Sequence, residues 1–209
     1  MGKKSGKNIG SEKNIGSDLR IIGGQLRGRK IRYSGDSRTR PMKERVREAM
    51  FNLIGTDVVG THVIDLFAGT GALSFEALSR GAEQILAIER HFPTARLLEE
   101  NAASLNVQER VTVFAGDTFF WSRQLPDLSG SPCSIFCSPP YRLYHERTTD
   151  MLALIGSLMQ SIPDRSLFVV ECDSLWDTNM LPSAERWDVR AYSPAVIAIH
   201  RTPATSRSE

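Results

Sequence analysis

From His62 onward, short apolar runs alternate with stretches in which apolar residues recur every three to four positions. This alternation predicts strands at 62–66, 84–88, 111–114, 133–137 and 166–171, with helices at 71–80, 93–105, 118–124 and 145–160. Strands and helices that alternate in this way form a parallel sheet covered by helices on both faces. The pattern changes near the C-terminal end. Residues 186–192 and 195–200 are joined only by Ser193-Pro194, too short a link for a crossover helix, so an antiparallel pair is expected there. The expected fold class is α/β: a doubly wound, mostly parallel seven-stranded sheet that ends in an antiparallel hairpin.

Ahead of this region the periodicity is different. Leu19-Arg20-Ile21-Ile22 and Arg29-Lys30-Ile31-Arg32-Tyr33 read as short strands separated by Gly23-Gly24 and Gly28, which predicts a hairpin. Pro41 suits a first helical position, and Val46, Met50, Leu53 and Ile54 follow at helical spacing. An amphipathic helix over 41–54 is expected, with Lys43, Arg45 and Arg47 on its polar face. Residues 1–18 repeat Lys-Asn-Ile-Gly-Ser at 7–11 and 13–17, carry almost no apolar side chains, and are expected to stay unfolded. The expected organisation is thus a basic tail over 1–18, a hairpin and helix over 19–55, and the main domain over 56–203. A chain of 209 residues can bury one sizeable core with a small appendage.

Charge is distributed unevenly. The net formal charge is only +2, but residues 1–47 hold 14 Lys or Arg against 4 Asp or Glu, a balance of +10, and the remainder holds 12 against 20, a balance of −8. A basic arm on an acidic body suits a polyanionic partner, nucleic acid above all. Arg20, Arg27, Arg29, Arg32, Arg38 and Arg40 are the expected phosphate contacts, because guanidinium groups match phosphate geometry. The N-terminus has no apolar segment to make its lysines a signal peptide, and no apolar run approaches membrane-spanning length, so a cytoplasmic protein is expected. Cys133, Cys137 and Cys172 lie in apolar runs without histidines at ligand spacing. Buried free thiols are expected, with no disulfide framework and no metal.

Candidate chemistry gathers at the strand ends. Asp65-Leu66-Phe67-Ala68-Gly69-Thr70-Gly71 follows the first main strand and opens a helix, the place where a doubly wound fold binds its ligand. A dinucleotide fits poorly, since the third fingerprint position is Ser74 and an acidic Asp65 would repel a pyrophosphate. S-adenosylmethionine fits better, because it carries an ammonium, a sulfonium, a ribose diol and an adenine but no phosphate. Glu89, at the end of the second strand, is placed to accept the ribose hydroxyls, and Asp117, after the third, to take the adenine amine. Arg90 and Thr118 flank them. The fourth strand ends in Ser138-Pro139-Pro140-Tyr141. The prolines lack N–H groups and their carbonyls are expected to stay outside helix and sheet. Tyr141 offers a face for stacking, and Ser138 an acceptor for an exocyclic amine, so the four residues suit a flipped base. Phe119, Phe120 and Trp121 are expected in the core, and His91 and His145 at the surface.

Together these residues resemble class I S-adenosylmethionine-dependent methyltransferases. More narrowly, the chain resembles the RsmD-type 16S ribosomal RNA guanine-N2 methyltransferases. That resemblance rests on Arg20-Ile-Ile-Gly-Gly24, Arg27-Gly-Arg-Lys30, Arg40-Pro41, Arg45-Val-Arg-Glu-Ala-Met-Phe-Asn52, the loop 65–71, Glu76-Ala-Leu-Ser-Arg-Gly81 and Pro139-Pro140-Tyr141. It covers nearly everything from residue 19 and implies an enzyme acting on ribosomal RNA in an assembled or partly assembled 30S particle; the chain is expected to work as a monomer. One departure stands out: that family usually has Asp before the two prolines, and this chain has Ser138.

The expected reaction is an in-line displacement in which the target amine attacks the sulfonium methyl, so the enzyme's task is mainly positioning. Ser138 and the carbonyl of Pro139 would accept from the amine. A neutral serine stabilises the developing positive charge less well than a carboxylate, a loss of about 10²–10³ in rate. Asp117 and Glu171 are the candidate compensating carboxylates. The competing functions are methylation of adenine N6 or of a protein glutamine amide, and an RNA-binding protein weakened in catalysis by Ser138. Removal of residues 1–40 is expected to weaken RNA binding and spare the cofactor.

Overall fold

The computed structural model describes residues 18–35 and 42–204. The tail 1–17, Arg38, Arg40 and Pro41 lie outside the described residues. Among the described residues, nine strands form two sheets. In the small one, β1 (Leu19–Arg20) pairs antiparallel with β2 (Lys30–Ile31), Leu19 opposite Ile31. The large one contains β3 (His62–Asp65), β4 (Gln84–Glu89), β5 (Val111–Ala115), β6 (Cys133–Cys137), β7 (Leu167–Asp173), β8 (Trp187–Tyr192) and β9 (Ala195–Arg201). Their order across the sheet is β5-β4-β3-β6-β7-β9-β8. The first five of these are parallel, and β9 runs antiparallel to both β7 and β8. The expected α/β fold class is observed, including the hairpin at Ser193-Pro194.

The inner strands β3, β6, β7 and β9 are buried on both faces, and their side chains alternate between two cores, as a period of two requires. Val63, Phe136, Leu167 and Val169 face helices α1 (Glu44–Ile54), α2 (Ala72–Ser79) and α3 (Phe92–Ser104). Ile64, Ile135, Phe168 and Val170 face the other way, toward α4 (Thr118–Trp121), α5 (Arg142–Glu146) and α6 (Thr148–Ser161). No described helix is long and apolar enough to cross a membrane. All three cysteines are free and buried.

Besides the start of α1, which is Glu44 rather than residue 41, three expectations change. The single helix over 145–160 is two, because Arg147 adopts a non-helical φ of −134° and serves as the boundary of both α5 and α6. As a result α5 begins immediately after Tyr141 rather than several residues later. Strand β7 runs on to Asp173 because β9 offers it partners as far as Ala195. Third, Arg47 is not on the polar face of α1. It is 1% exposed, held between the arm and α2.

That burial is explained by Glu76, a fully buried carboxylate in α2. It accepts hydrogen bonds from the backbone N–H groups of Ile22 (2.8 Å) and Gly23 (2.9 Å) and from Arg80 Nε (2.8 Å). Arg47 Nε lies 3.7 Å away, and its other end donates to the Arg20 carbonyl at 2.5 Å. Buried charges persist only when paired and bonded in this way. Ile21 and Ile31 pack into the same core as Phe51 and Phe75. The turn of the arm is stitched to the last residue of α2, since the N–H groups of Gln25 and Leu26 donate to the Ser79 carbonyl and hydroxyl.

Candidate active site

Strand β3 has β4 and then β5 on one side, and β6 and then β7 on the other. This is the point where the winding reverses and a crevice opens at the carboxyl ends of the strands. Asp65, Glu89 and Ser138 stand at or just beyond the ends of β3, β4 and β6, and Asp117 lies two residues beyond β5. Glu171 lies in the carboxyl-terminal half of β7.

Asp65 is 1% exposed. Its Oδ2 accepts from Ser74 Oγ at 2.7 Å, while Oδ1 has no partner. Burial pushes its carboxyl up to about 6, with the charge of Glu89 adding to the rise. An orphaned buried acceptor is costly unless a donor meets it. Glu89 shapes the loop that follows β3: Oε2 accepts from Gly69 N–H at 3.0 Å and Oε1 from His91 N–H at 2.7 Å. Ala68 N–H donates back to the Ile88 carbonyl, and Gly71 N–H to the Ala68 carbonyl. Asp117 caps α4 through Oδ1, accepting from the N–H groups of Phe119 and Phe120, and so its Oδ2 edge remains for a ligand.

Other predicted cofactor contacts are placed less directly. Thr70 is buried, and the buried Thr118 hydroxyl donates to the Leu66 carbonyl, bracing the strand end. Arg90 is exposed next to Glu89. Phe67 meets Phe119 edge-on, with ring centroids 6.3 Å apart, and the Arg147 guanidinium lies 3.9 Å above the Phe119 ring. Of the three aromatics expected in the core, Trp121 is buried and the half-buried Phe119 packs against the same core, but Phe120 is 64% exposed, because a four-residue helix has one buried side and Thr118 and Trp121 occupy it.

At the clamp, Pro139 is buried and Pro140 exposed. The Pro140 carbonyl does not stay outside a helix: it accepts from Leu143 N–H at 2.9 Å as α5 begins. Ser138 Oγ donates to Glu171 Oε2, and Tyr141 Oη donates to Glu171 Oε1 at 2.6 Å. Burial raises the Glu171 carboxyl above the usual carboxylate range, although both hydroxyls oppose the rise. Burial, together with the Glu171 bond, likewise raises the Tyr141 phenol. His145 is exposed as expected, yet its Nε2 lies 2.8 Å from Asp173 Oδ2.

The expected arginine contacts fall elsewhere. Arg20 pairs with Glu44 at 2.9 Å, Arg32 with Glu100 at 2.5 Å, and Arg29 donates to the Ser104 carbonyl at 2.8 Å, while Arg27 is exposed. Helices α2 and α3 both start at the strand ends that form the crevice and run away from it. Because the arm docks on Ser79 and Ser104, Arg27 and Arg29 lie toward the far end of the helix layer. Residues 142 and 147 are the cations nearest the clamp in sequence. Sequence reasoning passed over both Arg142 and Arg147, and the one available signal was their position directly after Tyr141.

The model of the family described as Conserved hypothetical protein 95 matches residues 19–199. Ribosomal RNA small subunit methyltransferase D of Escherichia coli strain K12 is 36% identical over 157 residues, covering 74% of this chain and 75% of that protein. The Bacillus subtilis protein YlbH is 30% identical over 155 residues, covering 74% and 83% respectively. Among solved structures, Escherichia coli yhhF superposes with a TM-score of 0.73 at 28% identity, covering 90% of this chain and all of that one.

Proposed function

Because this chain belongs to the Conserved hypothetical protein 95 family, we propose that it methylates the exocyclic N2 amine of a guanine in small-subunit ribosomal RNA, with S-adenosylmethionine as donor. That it is a methyltransferase follows from its relatives. The observation that carries the choice of donor and target is the row of acceptors along one crevice, Asp65, Glu89 and Asp117, ending in a proline clamp whose serine is bonded to a buried carboxylate.

The set is made of acceptors, and it suits a ligand that presents N–H and O–H groups rather than phosphate. Asp65 Oδ1 would meet the ammonium, Glu89 the ribose hydroxyls, and Asp117 Oδ2 the adenine amine. When bound, the donor supplies an electrophilic methyl on a sulfonium. Tyr141 stacks on the extruded base, while Ser138 Oγ and the Pro139 carbonyl accept from its amine. Pro140 is unavailable for that task, since its carbonyl opens α5. Guanine N2 is a poor nucleophile because its lone pair is delocalised, and acceptors on its N–H groups help to localise that pair. The carboxylate behind Ser138 argues against a binding protein that has lost its chemistry.

Residues 19–55 serve as the RNA-binding unit and 56–203 as the donor-binding domain, with the enzyme working in the cytoplasm as a monomer on a 30S particle or assembly intermediate. Arg20, Arg27, Arg29, Arg32, Arg38 and Arg40 supply phosphate contacts. The test is mass spectrometry of small-subunit ribosomal RNA from a strain lacking the protein. One methylguanine should disappear and return when the purified protein and donor are added; an unchanged nucleoside profile would remove ribosomal RNA as the target.

A further inference from the structure

A transferred methyl group leaves the target amine with one proton too many. Resting on the methyl-transfer reading above, the geometry points to Glu171 as the carboxylate that, acting through Ser138, orients the amine and receives that proton.

The Ser138 hydroxyl hydrogen is committed to Glu171 Oε2. A hydroxyl that donates in one direction presents its lone pairs in the others, so Ser138 Oγ is fixed as an acceptor toward the crevice. As the N2–methyl bond forms, the electron pair of the broken carbon–sulfur bond stays on sulfur, leaving a neutral thioether. The surplus N2 proton moves to Ser138 Oγ while the hydroxyl proton moves to Glu171 Oε2. Glu171 then returns the proton to solvent as the product leaves. Its second oxygen is held by Tyr141 Oη at 2.6 Å, so the same carboxylate fixes the ring that stacks on the base.

The surroundings suit a transient proton acceptor. Glu171 is 6% exposed and enters no ion pair among the described residues. The titratable groups that bear on it are Tyr141 from the clamp, Tyr144 from α5, Cys137 from β6 and its strand neighbour Cys172, and β9 opposes it with Ile197. Burial favours its protonated form, which makes it a better base than an exposed carboxylate. Asp117, the other candidate compensator, is turned to the N-terminus of α4.

Single-turnover methyl transfer by the full chain to unmethylated small-subunit ribosomal RNA, followed across the acid range with S-adenosylmethionine saturating at every pH so that Asp65 protonation does not enter the rate, tests the assignment. The wild-type rate should fall as pH drops and Glu171 protonates. Glu171→Gln should be slower by about 10²-fold, lose that acid limb, and bind S-adenosylmethionine with unchanged affinity by calorimetry. Ser138→Asp in the Glu171→Gln background should restore most of the rate, because a carboxylate then meets the amine directly. In donor-free protein, where Asp65 and Glu171 both titrate above the usual range, the infrared carboxylic-acid signal should shrink in Glu171→Gln and leave that of Asp65. If Glu171→Gln proves unstable, Ser138→Ala at a half-exposed position gives the answer by a comparable loss. A wild-type rate in either single variant, or an acid limb that survives Glu171→Gln, overturns the relay while leaving methyl transfer intact. Failure of the wild-type protein to methylate any RNA would instead overturn the functional reading itself.

Discussion

Asp65 is the residue whose environment departs most from what a carboxylate prefers. Its carboxyl is buried, pushed up to about 6, and half satisfied, an arrangement that costs stability in the absence of a donor. The folded state holds the proton more tightly than the unfolded chain. The cost is therefore absent at low pH, grows as pH rises from the ordinary value of 3.8 toward about 6, and is complete above it. Above neutral pH, Asp65→Asn should raise the urea midpoint, reflecting a gain in unfolding free energy on the order of 2–3 kcal/mol, while weakening S-adenosylmethionine binding. In the wild type, calorimetric affinity should fall as pH drops through about 6, and the asparagine variant should show no such trend in that window. A lower urea midpoint in the variant would show that the buried charge is compensated in the folded protein. The residue types at the strand ends were legible in the sequence, since each ends an apolar run. The pairing of Ser138 with Glu171 was legible only as one of two candidates beside Asp117, because 33 residues separate them and only the adjacency of β6 and β7 decides between the two.

At the scale of elements, the arm is the part whose sequence reading changed most. Strand β6 was read to the residue from its apolar run, because a strand buried on both faces needs little beyond its length. Periodicity could not show that Arg47 faces inward, since a buried arginine looks the same as an exposed one until its carboxylate, on another helix, is known. The arm contributes Ile21 and Ile31 to the main core, so removing residues 1–40 would expose that core and strand Arg47 beside Glu76. Point changes are the cleaner probe. Gly24 has φ +74° and a Cβ placed there would collide with the Ser79 carbonyl, whereas Gly28 has φ +82° and open space around it. Gly28→Ala should therefore cost about 1 kcal/mol from backbone strain alone, and Gly24→Ala at least twice that. Equal urea midpoints for the two variants would mean that the turn does not rest on α2.

For the whole molecule, the turn of the arm from Gln25 to Arg29 and the crevice lie at opposite ends of α2 and α3. Helix α3 has 13 residues, a length of about 20 Å, and it runs from the rim near Glu89 to the Ser104 carbonyl that holds Arg29. A single extruded nucleotide cannot reach both ends, and a folded RNA can. Arg27→Glu combined with Arg29→Glu should weaken binding to small-subunit particles, reduce the slope of log affinity against log salt by about 2, and leave donor affinity unchanged. An unaltered salt slope would place the RNA elsewhere, with Arg142 and Arg147 beside the clamp as the next surface to probe. The convergence of Arg47, Arg80 and two backbone amides on Glu76 bears on how such an RNA is met. The turn cannot peel away without breaking its two amide bonds to Glu76 and uncovering the buried Arg47 guanidinium, so the amide hydrogens of Ile22 and Gly23 should exchange only when the body of the protein opens. If the proposed contact with the particle is made by this turn, the turn meets it with its backbone already in the final shape, and only exposed side chains such as Arg27 remain to be ordered.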